Sequence, residues 1–141
     1  MKKTIAILGS TGSIGKTTFN ILKKDKNRYK IHLLTTNTNI KEITKQAKSF
    51  NVKNLIITDH KKFLIIKKKF KNKNINIFNN FNNYNKIFKT KVDYTMSSIS
   101  GLNGLKPTLD IIKFTRKIAI ANKESIICAW NLINKKLTKH K

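Results

Sequence analysis

Two hydrophobic rhythms alternate along this chain. Short apolar runs rich in β-branched residues recur, and between them lie segments whose apolar residues fall three or four apart. Residues 4–8 (TIAIL) predict a first strand. Residues 13–24 follow with Ile14, Phe19, Ile21 and Leu22 at partly helical spacing. Residues 30–35 (KIHLLT) predict a second strand, and 39–50 place Ile40, Ile43, Ala47 and Phe50 on one helical face. Residues 54–58 (NLIIT) predict a third strand. Asp59 is then placed to cap a helix with Phe63, Leu64, Ile66 and Phe70 on its inner side. Short strands are expected at 74–78 and 92–97. A helix over 105–115 carries the only proline, Pro107, in its first turn, where a missing N–H costs least. Residues 117–121 (KIAIA) predict the last strand and 123–137 the last helix.

Strands interleaved with helices at this spacing predict βαβ units around a parallel sheet. At 141 residues one domain is expected, long enough for a real core. Residues 67–91, nearly all Lys, Asn, Ile and Phe, read as low complexity. Ile75, Ile77, Phe78, Phe81, Tyr84, Ile87 and Phe88 still supply apolar faces there, so a folded edge of the sheet is expected.

Composition changes the picture in two ways. The chain holds 31 Lys and Arg against 6 Asp and Glu, a net charge of +25. Clustered cations on a surface suit nucleic acid, because they release counterions from phosphate. Here the cations are almost all Lys, only Arg28 and Arg116 being Arg, and Asn and Ile are abundant too. Lys, Asn and Ile share A/T-rich codons, whereas a selected binding surface favours the bidentate reach of Arg. Base-composition bias is the preferred explanation, and no specific nucleic-acid partner is expected. The single Cys, Cys128, permits no internal disulfide. No run approaches membrane-spanning length, so a cytoplasmic protein without a membrane partner is expected.

The candidate chemistry begins at residues 9–18, GSTGSIGKTT, directly after the first strand. A phosphate-binding P-loop needs Gly, four residues, then Gly-Lys-Ser/Thr. Counting back from Gly15-Lys16-Thr17, that first Gly falls on Ser10, and the fit fails by one register. A dinucleotide turn fits better. Gly9-x-x-Gly12-x-x-Gly15 between a strand and a helix start gives a tight turn, a close phosphate approach and close helix–strand packing. The expected fold class is therefore α/β: a Rossmann-like, doubly wound, mainly parallel sheet with helices on both faces. About 20 residues on, an NAD site carries an acid for the ribose hydroxyls. Residues 33–39 (LLTTNTN) hold none, which favours NADP. A second polar corner, Asn122-Lys123-Glu124 within 120–126 (IANKESI), directly follows the last predicted strand. Capping accounts for Asn122 and Glu124 but gives no reason for Lys123 at the positive helix end, whereas an anionic ligand does.

GSTGSIG at 9–15, SGLNGLKPTL at 100–109 and ANKES at 121–125, in this order and spacing, make the chain similar to 1-deoxy-D-xylulose 5-phosphate reductoisomerases. The resemblance covers essentially the whole chain. It implies an NADPH-dependent oxidoreductase and isomerase of the non-mevalonate isoprenoid pathway. That enzyme rearranges 1-deoxy-D-xylulose 5-phosphate and reduces the resulting aldehyde to 2-C-methyl-D-erythritol 4-phosphate, using magnesium or manganese. By position, Thr11, Gly12, Ser13 and Ile14 are expected to hold the pyrophosphate side of NADPH, and Asn122 and Glu124 to contact it near its reactive end. Lys123 is expected to reach the sugar phosphate. The family's Gly-Lys-Asn after the second strand is Asn37-Thr38-Asn39 here, with Asn37 expected to take a left-handed backbone in place of Gly and Asn39 matching. Thr38 replaces a Lys expected near the 2′-phosphate.

The family continues beyond the ANKES helix to an Asp-Ser-Glu metal motif. In this chain the acids Asp25, Glu42, Asp59, Asp93, Asp110 and Glu124 form no close pair, and His32, His60 and His140 are scattered. Residues 1–141 are therefore expected to form a single NADPH-binding domain, with catalytic residues, metal ligands and the remaining domains outside it. Expected partners are the substrate, the remainder of the enzyme and, in the family's manner, a second copy. This portion alone is expected to be inactive. His32, Cys128 and Trp130 are expected to serve packing. The alternatives are a basic nucleic-acid-associated protein and a P-loop nucleotidase.

Overall fold

The computed structural model describes residues 1–140. Six strands and six helices alternate: β1 (Lys3–Leu8), α1 (Ser13–Lys24), β2 (Tyr29–Thr36), α2 (Ile40–Phe50), β3 (Asn54–Ile57), α3 (His60–Lys69), β4 (Asn76–Phe78), α4 (Tyr84–Ile87), β5 (Val92–Ser97), α5 (Leu105–Ile111), β6 (Thr115–Ile120) and α6 (Lys123–Lys139). Short 3-10 turns precede α4 and α5 and follow α5. The strands form one sheet in the order β4-β3-β2-β1-β5-β6, and every neighbouring pair is parallel. The order reverses between β1 and β5. Such a switch point leaves a crevice at the carboxyl ends of the strands, where ligands bind in open α/β sheets.

Period-2 alternation sorts the core onto the two faces. Ile5, Ile7 and Leu34 point toward Phe19 and Leu22 of α1 and toward Ile43 and Ala47 of α2. Ala6, Leu8, Leu33 and Ile56 point the other way, toward Tyr84 and Ile87 of α4 and Ile111 of α5. Strands buried on both sides read as continuous apolar runs, which is why TIAIL and NLII lack polar gaps. The doubly wound α/β fold expected from the sequence is the fold observed. Residues 67–91 also fold as expected, supplying the end of α3, β4 and α4. Phe88 there stacks on Phe114, Tyr84 meets both rings at a steep angle, and burial, with the Asp110 charge second, pushes the Tyr84 phenol well above its ordinary pKa.

Several local expectations shift. Leu64 is 51% exposed, because the inward stripe of α3 is Phe63, Ile66 and Phe70, at i, i+3 and i+7. Ile14 and Ile21 are exposed on α1 for the same reason, its inner stripe being Gly15, Phe19 and Leu22. The helix after Pro107 stops at Ile111 and tightens into a 3-10 turn, so β6 starts at Thr115, ahead of the expected 117. Cys128 and Trp130 do not pack inside: Cys128 is exposed and Trp130 is 50% exposed. The buried stripe of α6 is Ser125, Ala129 and Ile133, spaced by four, and it leaves their neighbours outside. His32 is half-buried on β2, its Nε2 bonded to Ile87 O at 2.8 Å, in keeping with a packing role.

Candidate functional site

The strand-to-helix turn after β1 is built from glycine geometry. Gly9 has φ +78°, a left-handed conformation, and a Cβ there would lie 2.9 Å from Ser98 O. Gly15 packs so closely on the turn that a Cβ would lie 2.6 Å from Ser10 Cα. The turn is then tied to β2: Gly9 N donates to Thr35 Oγ1 at 2.8 Å, Ser10 N to Thr35 O at 2.9 Å, and Thr11 Oγ1 shares a 2.6 Å bond with Thr36 Oγ1. From α2, Gln46 Nε2 donates to Ser10 O at 2.9 Å.

Gly12 is the N-cap of α1 and makes no side-chain cap hydrogen bond, whereas α2, α3 and α6 are capped by Asn39, Asp59 and Asn122. The first amides of α1 therefore face outward with the positive end of the helix dipole behind them. A Cβ at Gly12 would meet nothing closer than Gly9 O at 3.5 Å, so the missing side chain leaves open approach. Ser13 and Ile14, exposed in the first turn, complete this rim.

Beside the turn lies a cavity of about 740 Å³, lined by Gly9, Thr11, Gly12, Thr35, Thr36, Asn37 and Thr58 on one side. Phe81 and the segment after β5, Ser98, Ile99, Ser100, Leu102 and Asn103, form the other side with Lys106 and Pro107. That volume lies within the range of small-molecule and cofactor sites. No acidic residue lines it, and Lys106 is the one charged side chain that does. The lining suits an anionic ligand with polar hydroxyls.

Sequence reasoning assigned no role to the loop after β5, although SGLNG was conspicuous. Its signal was positional: Ser98 directly follows the strand at the switch point. Ser98 N and Oγ both donate to Leu8 O, at 2.9 and 2.8 Å, clamping this loop to the end of β1.

The Asn122-Lys123-Glu124 corner lies on the same rim. Ala121 N donates to Ser97 O at 2.9 Å, so the ends of β1, β5 and β6 stand side by side. Asn122 is buried, Glu124 half-buried and Lys123 exposed. These three residues do not line the cavity itself, and they join it through the loop after β5. Asn37 lines the cavity but its backbone is not left-handed: Asn51 is the only non-glycine described residue with positive φ. Asn37 instead accepts a hydrogen bond from Thr58 Oγ1 at 3.1 Å, which holds the chain turning away from β2 without a glycine-like conformation. Asn39 caps α2, its Oδ1 accepting from Glu42 N at 3.1 Å.

Among the described residues no group of three His, Cys, Asp or Glu comes together to hold a metal ion, and no helix is long and apolar enough to cross a membrane.

Known proteins share this arrangement. The family model described as 1-deoxy-D-xylulose 5-phosphate reductoisomerase matches residues 5–130. The reductoisomerase of Pelagibacter ubique is 61% identical over 141 residues, 99% of this chain and 36% of that protein. The one from Wolbachia pipientis wMel is 36% identical over 135 residues, covering 95% of this chain and 34% of the relative. Among solved structures, the Zymomonas mobilis reductoisomerase in complex with NADPH superposes with a TM-score of 0.89 at 31% identity, over 99% of this chain and 37% of its own. A reductoisomerase bound to NADPH, fosmidomycin and magnesium gives 0.88 at 30% identity, over 98% of this chain and 34% of its own. The chain spans about a third of the length of these relatives. With the match running from β1 into α6 and taking in both strand-end corners, this chain belongs to the 1-deoxy-D-xylulose 5-phosphate reductoisomerase family.

Proposed function

We propose that residues 1–141 form a single domain that binds NADPH for a 1-deoxy-D-xylulose 5-phosphate reductoisomerase. The observation that carries this reading is the common rim: the uncapped start of α1 borders a cavity with no acidic residue in its lining, and the Asn122-Lys123-Glu124 corner is joined to the opposite wall of that cavity through the loop after β5. The backbone amides of Thr11, Ser13 and Ile14 hold the pyrophosphate, since an anion at a helix N-terminus satisfies donors that have no partner in the helix, and Gly12, whose own N–H donates to Gly9 O at 3.2 Å, lets the phosphates approach because it has no side chain. Asn37 and Asn39 border the adenosine ribose. Thr38 stands where a Lys would meet the 2′-phosphate, so the absence of a repelling acid carries more of the NADPH preference than a direct clamp does.

Asn122 and Glu124 border the nicotinamide end, Asn122 through its backbone because its side chain is committed elsewhere. Lys123, exposed on the first turn of α6, reaches the sugar phosphate. NADPH supplies the hydride, and these residues orient it. The described residues do not gather a metal site. The ligands for magnesium, the substrate pocket and the catalytic groups belong to the two thirds of the family's length that this chain does not span, and a second copy completes the family's assembly. The whole protein's activity is the conversion of 1-deoxy-D-xylulose 5-phosphate to 2-C-methyl-D-erythritol 4-phosphate. The test is a fluorescence titration of the folded chain with NADPH. Saturable binding, tighter than that of NADH, is expected. A folded chain with no affinity for NADPH overturns the reading.

A further inference from the structure

Asn122 is 4% exposed, and both donors and the oxygen of its carboxamide are engaged within the protein. Nδ2 donates to Ile99 O and to Gly101 O, both at 2.6 Å, and Oδ1 accepts from Ser125 N at 3.0 Å. One carboxamide thus holds the loop after β5 to the start of α6, across more than twenty residues of chain. Ile99 and its neighbours Ser98 and Ser100 line the cavity, whereas Asn122 does not.

A second observation comes from the other side of the same contact. Gly104 is buried, and a Cβ there would collide with Asn122 Nδ2 and lie 2.5 Å from Ile99 O. Gly104 itself does not line the cavity. The loop is pinned further at this point: Gly104 N donates to Gly101 O at 3.1 Å, Thr108 Oγ1 donates to Gly104 O at 2.6 Å, and Thr108 Oγ1 meets Ser97 Oγ at 2.7 Å. The bonds therefore run from the last residue of β5 through α5 and back to the loop. A planar amide is needed at 122 because two carbonyl oxygens must be met by two N–H donors while an acceptor faces the helix. An Asp meets the helix equally well but presents a carboxylate to the two carbonyls.

We infer that Asn122 is a positioning residue: its carboxamide, seated against Gly104 and bonded to Ile99 O and Gly101 O, fixes the cavity wall at Ile99 relative to the Asn122-Lys123-Glu124 corner, and NADPH affinity depends on it without its side chain touching the cofactor. The inference rests on the cofactor reading above for its effect on affinity and on geometry alone for its effect on the loop.

The experiment compares the unsubstituted 141-residue chain with Asn122→Asp, Gly104→Ala and the double variant. NADPH affinity and amide hydrogen exchange of the free chain are measured on each. Asn122→Asp keeps the helix cap, so the Ser125 amide stays protected. The Ser98 and Gly104 amides, bonded to Leu8 O and Gly101 O, exchange at least tenfold faster, and NADPH binds at least tenfold more weakly. Gly104→Ala reproduces both changes, and the double variant is no worse than the poorer single one, because both break the same contact. Weakened NADPH binding with unchanged loop exchange shows direct contact by the Asn122 side chain and overturns the inference. Unchanged affinity in either variant also overturns it. If Asn122→Asp does not fold, Gly104→Ala decides on the same two readouts. If the unsubstituted chain does not bind NADPH, the cofactor reading fails, and the exchange rates still decide whether Asn122 holds the loop.

Discussion

Gly12 and Gly15 sit three residues apart and serve different ends. Gly15 leaves no room for a side chain against the turn, whereas Gly12 opens onto the cavity. A side chain at 12 therefore fits the folded chain but occupies the space a phosphate needs. Gly12→Val is expected to lower NADPH affinity more than tenfold, with the thermal midpoint moving by only a few degrees. Lys16, exposed on α1 and outside the cavity lining, is expected to have little effect as Lys16→Ala. Paired titrations with a melting curve on each variant check both. A large loss from Lys16→Ala would restore the P-loop alternative, since that design relies on the lysine. Three glycines and a helix start were legible in the sequence at this scale. The commitment of the Asn122 amide to two carbonyls was not, because nothing local says that residues 99 and 101 stand beside residue 122.

Helix starts and strand neighbours carry the element-scale energetics. Asp59 caps α3, its Oδ1 accepting from Lys62 N at 2.8 Å. Asp59→Ala is expected to destabilise the chain by about 1 kcal/mol, read from urea unfolding, without altering NADPH affinity. At the opposite end of the sheet from the cavity, Asp93 on β5 binds both the backbone N–H and the hydroxyl of Thr4 on β1, at 2.8 and 2.9 Å. The Thr4 backbone bond, then its hydroxyl, holds the Asp93 carboxyl below its ordinary pKa, with Arg116 and Lys3 adding to this against a desolvation cost. A carboxyl whose pKa is lowered by folding stabilises the folded chain above its ordinary value, and that contribution is lost as pH falls toward the lower folded value. Asp93→Asn should therefore flatten the acid limb of stability against pH and leave its slope near neutrality unchanged. Urea midpoints across an acid-to-neutral series check this. The cap at Asp59 was legible from its place before an apolar-periodic run. The Asp93 bridge was not, because it joins strands 89 residues apart.

For the whole molecule, the dominant property is a net charge of +25. Such a chain attracts any polyanion, and that attraction weakens steeply with salt because it rests on counterion release. NADPH held by amides, hydroxyls and shape is expected to lose only a few-fold affinity between low and physiological salt, whereas oligonucleotide binding should fall by orders of magnitude. Parallel salt titrations of the two ligands check this, and the reverse ranking would favour the nucleic-acid alternative. Apolar rhythm alone determined the order of strands and helices and, from their alternation, the α/β class, because each element depends on neighbours three or four residues away at most. Glycine spacing located the phosphate turn for the same reason. Only the tertiary structure decided that Leu64 of α3 and Cys128 and Trp130 of α6 turn outward, why Asn37 needs no left-handed backbone, and that three separate segments meet at one rim. Those outcomes depend on which strand lies beside which, and strand order is set by packing the whole sheet between its two helix layers.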